Sequence, residues 1–161
     1  MPRQKGIDIK LARKPELGNK YDIEIVNEEL ELVNNFDTSL QMSVYCERRA
    51  DSSEVLRTEL RRGWWGNEVA EVAGFEIGSK LWILSQSRLT QNVLNKAISY
   101  AQEALQWLVE DRLLSRVEVT GEIVNRRIIR LRIDLFRNAN EVSTRFFNLW
   151  DNTIPIEERE L

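Results

Sequence analysis

The most regular pattern of apolar and polar residues follows Thr90, where apolar side chains recur at the three- and four-residue spacing of one helical face. The stripe consists of Val93, Leu94, Ala97, Ile98, Ala101, Ala104, Leu105, Leu108 and Val109. With Thr90 as its N-cap, the pattern predicts a helix of about 22 residues, roughly 33 Å long. A narrower line beside the stripe is formed by Tyr100, Glu103, Trp107 and Glu110.

Three alanines, Ala97, Ala101 and Ala104, keep the main face of this helix thin. Two interpretations fit such a face. Either an element of a partner protein approaches the helix backbone closely, or the helix covers the sheet of its own domain.

Strict alternation of apolar and polar residues follows the helix and predicts two antiparallel strands, at residues 116–120 and 127–136. The residues that point to the buried face are Val117, Val119, Ile129, Leu131, Ile133 and Leu135. Arg130, Arg132 and Asp134 point to the opposite, charged face. An edge of this hairpin is a candidate for pairing with a strand of a partner protein.

The remaining patterns are weaker. Residues 22–26 and 30–33 predict a hairpin, and Asp37 or Thr38 begins a helix that reaches about Ala50. The segment Leu81–Leu84 fits either a helix or a strand. The predicted domains are an N-terminal arm at residues 1–20 with at most one short strand, an α+β domain at residues 21–150 and an acidic tail at residues 151–161. In the α+β domain, a small, mainly antiparallel sheet packs against the long helix and the shorter helix.

A pair of tryptophans lies between glycines in the long, poorly periodic stretch of residues 51–87. Arg61 and Arg62 precede the sequence Gly-Trp-Trp-Gly, in which the tryptophans are Trp64 and Trp65. Adjacent side chains of an extended backbone alternate sides, so one ring can anchor inward while the other is offered outward. Trp and Arg are enriched at interface hot spots, which predicts a protein contact with the arginines as its polar rim. The alternative is that both rings form local core.

Composition narrows the possible chemistry. The chain of 161 residues is 42% hydrophobic and 30% charged, which describes a globular protein. It contains no histidine and a single cysteine, Cys46, which excludes an internal disulfide, zinc sites built on several cysteines, and catalytic systems that depend on histidine. No phosphate-binding glycine loop and no distinctive set of metal ligands occurs, so we predict neither a cofactor nor a metal. No secretory signal or membrane-spanning run is visible, which predicts a cytoplasmic protein without a membrane partner.

Two other functions have some support in the residues. Glu103, Glu110 and Asp111 provide paired carboxylates of the kind that glycoside hydrolases use, although a solvated helix face or an ion pair explains them better. Arginines near the tryptophans and along the predicted hairpin could contact nucleic acid. The net charge of −3 and the interleaved acidic residues favour a charged, exposed sheet face instead. The arginines in question are Arg57, Arg61, Arg62, Arg126, Arg127, Arg130, Arg132 and Arg137.

Several short motifs, in this order and spacing, resemble the tail protein that Mu-type phages encode in their forty-sixth gene. They are Arg48-Arg49-Ala50, Arg62-Gly63-Trp64-Trp65-Gly66, Gly78-Ser79-Lys80-Leu81-Trp82, Thr90, Ala101-Gln102-Glu103-Ala104-Leu105-Gln106-Trp107-Leu108 and Phe147-Asn148-Leu149-Trp150. The resemblance covers about residues 20–150. That family is in turn similar to the wider baseplate wedge proteins of contractile tails, including the W protein of P2-like phages and the TssE subunit of type VI secretion.

The resemblance implies a non-enzymatic subunit of a contractile-tail baseplate, within a six-fold assembly of several proteins. Its implied partners are other wedge proteins and the tail sheath, whose assembly it would help to start. The wider family carries a Glu-Pro-Arg motif after the long helix, which implies a wedge contact at Glu110 and Arg112. In this chain Asp111 stands where that motif has proline.

Overall fold

The computed structural model describes residues 8–14, 20–27, 29–30, 32–33, 36–55, 61–69, 76–138 and 140–150. The chain divides into two compact units, Met1–Met42 and Ser43–Leu161. Helices and small antiparallel sheets are combined, which confirms the predicted α+β class. In the described residues, no helix has both the length and the apolar character needed to cross a bilayer.

The described residues of the first unit form three small two-stranded antiparallel sheets. The predicted hairpin is present in a short form, in which Ile25 pairs with Leu30 and Val26 with Glu29. The prediction of at most one short strand in residues 1–20 was wrong, because this region contributes two strands and the start of a third. Those strands are only two to four residues long, which is too short for a periodic apolar pattern to be recognised. The strands are β1 (Asp8–Ile9), β2 (Leu11–Lys14), β3 (Lys20–Ile23), β4 (Ile25–Val26), β5 (Glu29–Leu30) and β6 (Leu32–Val33), paired as β1 with β6, β2 with β3 and β4 with β5.

The first helix, α1 (Asp37–Tyr45), begins where the sequence predicts and buries Leu40 and Val44 as expected. It ends about five residues earlier than predicted, however. Beyond Tyr45 the backbone bonds to distant segments, since the carbonyl of Cys46 accepts a hydrogen bond from the amide of Ser79 at 2.9 Å. The segment Leu81–Leu84, which the sequence left open, is a short 3-10 helix.

The second helix, α2 (Gln91–Leu105), is capped by Thr90, whose side-chain oxygen accepts from the amide of Val93 at 3.3 Å. The predicted helix of about 22 residues is not continuous. The amide of Gln106 bonds to the carbonyl of Glu103, three residues back instead of four, and this tighter turn separates α2 from the single-turn α3 (Trp107–Glu110).

The main sheet has three antiparallel strands in sequence order, β7 (Arg116–Ile123), β8 (Ile129–Arg137) and β9 (Asn140–Leu149). The predicted hairpin corresponds to β7 and β8, in the register Val119 opposite Ile133. Strand β9 was missed. It occupies the outer side of β8, so β7 provides the remaining edge of the hairpin.

Helix α2 packs across β7 through its alanine face. Ala97, Ala101 and Ala104 are all buried. Their predicted role as an interface with another protein is therefore wrong, because the chain's own sheet lies against this thin face. The apolar side chains that line the sheet beneath it are Val117, Val119, Ile129, Leu131, Ile133, Leu135, Phe147 and Leu149.

Candidate protein-interaction site

An extended segment after α1 lies between two distant parts of the chain. On one side, the amide of Ala50 donates to the carbonyl of Arg61 at 2.9 Å, and the amide of Trp64 donates to the carbonyl of Glu47 at 2.7 Å. On the other side, the amide of Arg48 donates to the carbonyl of Ser79 at 2.9 Å. The bonds to Arg61 and Trp64 fix the start of the loop that carries the tryptophan pair.

Gly78 makes the close approach on the second side possible. Its φ is +111°, in the region that disfavours side chains, and a Cβ atom there would lie 2.6 Å from the carbonyl oxygen of Cys46. Cys46 itself is half-buried, and burial raises the pKa of its thiol. A raised pKa reduces the thiolate fraction, which agrees with a packing role.

The two tryptophans have different environments. The half-buried ring of Trp64 folds back over Gly66, whereas the side chain of Trp65 is 72% exposed. The ring centroids are 5.8 Å apart and the planes are inclined by 50°. Val69, one turn further along, is 67% exposed. We call Trp65 and Val69 together the tryptophan patch. Sequence reasoning missed Val69, because the turn that carries it has no periodic signal.

Arg61 and Arg62 bind neighbouring groups and stabilise the loop that carries the tryptophan patch. The Nε of Arg61 donates to the carbonyl of Ala50 at 2.6 Å. Arg62 donates from Nη1 to Oε1 of Glu47 at 2.8 Å, and its guanidinium lies 5.1 Å from the ring centroid of Trp82. Arg62 remains exposed, whereas Arg61 is half-buried and bound to backbone. Of the two arginines, Arg62 is the one available as a polar rim.

Asn67 fastens the other end of the loop. Its side-chain amide donates to the carbonyl of Ile77 and accepts from the amide of Ile77, both at 2.9 Å. A side-chain amide that bonds to both backbone groups of one residue takes the place of a paired strand. The tryptophan patch therefore lies on a turn that is fixed by hydrogen bonds on both sides of Trp65.

A charged cluster lies beneath the extended segment. The Nζ of Lys80, whose side chain is 10% exposed, lies 2.7 Å from Asp51 and 3.0 Å from Glu54. The hydroxyl of Tyr100 donates to Glu54 at 3.3 Å and ties this cluster to α2. The hydrogen bond from Lys80 lowers the pKa of the Asp51 carboxyl.

The other predicted site residues lie on separate surfaces. Trp107 is half-buried, and its Nε1 donates to the hydroxyl of Ser43 at 3.0 Å. Glu110 and Arg112 are exposed around the end of α3. Arg130 contacts Asn148 and Glu122, and Arg132 donates to both carboxylate oxygens of Asp134 at 2.9 and 3.0 Å. These two arginines thus have partners within their own sheet.

The acidic residues considered for catalysis do not form an isolated pair. Glu103 contacts Arg48 at 3.4 Å, and Arg48 also bonds to Glu76 at 2.7 Å. In the described residues, no group of three or more Cys, Asp or Glu side chains could hold a metal ion. The contacts of Glu103 agree with the ion-pair interpretation.

Comparison with known proteins identifies the family. Residues 36–142 match the model of the family described as phage protein GP46. The chain belongs to this family. A Mu-like prophage protein of Haemophilus influenzae, FluMu protein gp46, is 33% identical over 112 residues, which cover 70% of this chain and 76% of that protein. Baseplate protein gp46 of Escherichia phage Mu is 36% identical over 91 residues, 55% of this chain and 61% of the phage protein. The resemblance drawn from the short motifs is thereby confirmed.

Proposed function

We propose that the chain is a structural subunit of a contractile-tail baseplate, where it joins wedge subunits to the tail sheath and helps to start sheath assembly. In this proposal the protein enters a six-fold assembly of several tail proteins in the host bacterial cytoplasm and stays in the tail of the particle. Its family and its similarity to the baseplate protein of phage Mu support the baseplate role. The finer assignment of wedge and sheath contacts rests on the resemblance to wedge proteins.

The main observation in favour of a binding role is that Trp65 is exposed on a loop whose ends are held by hydrogen bonds. When a partner covers this ring, which is 72% exposed, little backbone freedom is lost, because hydrogen bonds already hold the loop in place. Val69 is a second exposed apolar side chain of the same loop, and Arg62, three residues before Trp65, is an exposed charged side chain. This combination of aromatic centre and polar rim is typical of protein interfaces.

The test is co-expression of the tagged chain with the tail proteins encoded by neighbouring genes, followed by purification and light scattering. A complex of fixed stoichiometry is expected. Within it, Trp65→Ala should weaken binding about 30-fold or more, the effect of removing a hot-spot side chain. Ile25→Ala is the control, since Ile25 is also strongly exposed but belongs to the other compact unit.

Two results would contradict the proposal. If the chain stays a monomer with all tail proteins present, the baseplate role fails. If the complex forms but Trp65→Ala binds as tightly as the original protein, the role stands and the tryptophan patch is not the contact.

A further inference from the structure

The turn that joins β7 to β8 exposes two arginines, Arg126 and Arg127. Within the described residues, neither guanidinium has a hydrogen-bond or ion-pair partner. Arg116 of the same sheet, by contrast, lies 3.1 Å from the carboxylate of Glu118. The turn therefore carries two positive charges that the described structure leaves without a counter-charge.

The same turn exposes apolar side chains and has a fixed backbone. Ile123 is 37% exposed and Val124 43%. The amide of Val124 donates to the carbonyl of Ile128 at 3.0 Å. The Oδ1 of Asn125 accepts from the amides of Arg127 and Ile128, at 2.8 and 3.1 Å. We call residues 123–127 the basic turn, a preformed surface with an apolar part and a positively charged part.

The strand register brings the last described residue to this turn. Leu149, at the end of β9, pairs with Ile129, at the start of β8. Strand β9 therefore ends at the end of the sheet where the basic turn lies, because Arg127 is two residues from Ile129. Trp150 follows in a left-handed conformation, with φ at 64°. The chain thus leaves the described structure beside the basic turn.

The sequence after Trp150 is complementary to the basic turn. The predicted acidic tail, residues 151–161, lies outside the described residues and has four acidic residues against one arginine. An extended chain spans up to about 3.3–3.6 Å per residue, so seven residues reach about 23–25 Å, far enough to pass over the turn. Apolar residues come first in this segment and acidic residues follow, in the order Ile154, Pro155, Ile156, Glu157, Glu158 and Glu160.

We propose that residues 154–160 bind the basic turn of the same chain, with their glutamates at the two arginines and their isoleucines over Ile123 and Val124. Ion pairs on a surface are individually weak. A short tether, however, gives the segment an effective concentration in the millimolar range, at which a weak contact is enough. The contact is autoinhibitory, because a partner that binds the turn must first displace the segment. It does not depend on the proposed function, since both parts belong to one chain.

Nuclear magnetic resonance of the full chain tests this contact. A spin label is attached at Arg159→Cys in a Cys46→Ala background, so that the label has a single site. The bound segment should broaden the amide signals of Val124 and Arg127 strongly. In a mixture of spin-labelled chains without isotope and isotope-labelled chains without the spin label, these signals should stay sharp, because the contact lies within one chain.

Reversal of charge distinguishes a bound segment from one that is merely nearby. Arg126→Glu with Arg127→Glu should lower the ratio of bound to unbound segment at least about fivefold, the effect of losing two exposed ion pairs. Adding Glu157→Arg and Glu158→Arg should restore the broadening, because the charges are again opposite. Higher salt concentration should weaken the broadening in the original chain and in the restored variant.

Arg88→Glu with Arg137→Glu is the matched control, since both arginines are exposed and lie outside the basic turn. Its broadening should equal that of the original chain. Ile154→Ser with Ile156→Ser tests the apolar part of the contact and changes no residue of the sheet. It should lower the ratio of bound to unbound segment at least about fivefold, because apolar surface is no longer buried. Equal broadening would show that the isoleucines do not cover the turn.

Three further results would overturn the inference. If reversal at Arg126 and Arg127 lowers the broadening no more than the control does, the segment does not bind the basic turn. If the combined reversal fails to restore the broadening, the charges do not pair as proposed. If the mixture shows broadening, the occupant is the segment of a second copy and not that of the same chain. None of these results affects the proposed function, because no tail protein takes part.

Discussion

The ring of Trp64 rests directly on the backbone of Gly66. A Cβ atom at Gly66 would lie 2.3 Å from Cη2 of that ring and within 2.6 Å of two further ring atoms. Atoms at such distances overlap, so the glycine is needed for this ring position and not only for the turn. Because Trp64 is anchored in this way, its neighbour Trp65 faces outward.

Gly66→Ala should lower the free energy of unfolding by about 1–3 kcal/mol, the usual cost of forcing an extra carbon into a filled space. Chemical denaturation followed by circular dichroism measures the change. Glu68→Ala in the same turn is the control and should stay within about 0.5 kcal/mol, because the Glu68 side chain is well exposed. A Gly66→Ala protein as stable as its control would show that the ring moves aside freely.

Separate replacement of the two tryptophans should give unequal effects on stability. Trp64→Ala removes a half-buried ring and should cost about 1.5–2.5 kcal/mol, roughly half the loss for a core aromatic residue. Trp65→Ala removes an exposed ring and should change stability by less than about 0.5 kcal/mol. Urea denaturation followed by far-ultraviolet circular dichroism avoids the change in fluorescence that both substitutions cause. If Trp65→Ala lowered the free energy of unfolding as much as is expected for Trp64→Ala, both rings would be part of the core.

The sequence was informative where one element buries one face by itself. Thr90 and the apolar stripe after it marked the start and the buried side of α2, and the alternation from Val117 to Leu135 predicted the antiparallel pair β7 and β8 and its buried face. Each of these signals lies within a few neighbouring residues. The motifs around the tryptophan pair likewise identified the family.

Features that depend on distant pairing could not be predicted in this way. Strand β9 carries mostly polar residues in its first half, and among its residues 143–149 only Phe147 and Leu149 are buried, so its alternation is weak. The bonds of Gln102 to Val117 and Val119 join a helix to a strand 15 and 17 residues away. An exposed-looking glutamine on a helix gives no sign of such a partner. The alanine face was ambiguous for a similar reason, since its partner is β7.

The cluster around Lys80 should make stability depend on alkaline pH. Burial lowers the pKa of Lys80, but hydrogen bonds to Asp51 and Glu54 outweigh it and leave the pKa above its ordinary value. Burial, with the nearby Glu54 carboxylate, also raises the pKa of Tyr100. A group with a raised pKa in the folded state stabilises the protein below its unfolded pKa. This contribution is lost as the pH rises through the folded pKa.

Lys80→Met should therefore lower the free energy of unfolding at neutral pH by about 1.5–3 kcal/mol, the value of hydrogen bonds to charged groups. It should also make the alkaline decline in stability less steep. Urea denaturation at a series of pH values measures both effects. Lys96→Met, at an exposed position of α2, is the control and should keep the original pH profile. If the stability of Lys80→Met declined at alkaline pH as steeply as that of the original protein, the cluster would not be the cause of the decline.

The end of α3 holds a non-glycine residue in the left-handed conformation. The amide of Leu113 donates to the carbonyl of Leu108 and the amide of Arg112 to that of Val109, both at 3.0 Å, with Arg112 at φ 58°. This is a Schellman ending, in which glycine is preferred at the position of Arg112. The amide of Asp111 donates to the carbonyl of Trp107 at 2.8 Å, a bond that a proline at 111 would remove.

Arg112→Gly should therefore raise the free energy of unfolding by about 1 kcal/mol, because it relieves a left-handed conformation that is unfavourable for side chains. Arg112→Ala keeps that conformation and removes the guanidinium, so its stability should stay near the original. If the arginine contacts a wedge partner, both variants should bind the co-expressed tail proteins more weakly, although one is more stable. Full binding by both variants would mean that Arg112 makes no such contact, and a less stable Arg112→Gly would contradict the argument from backbone conformation.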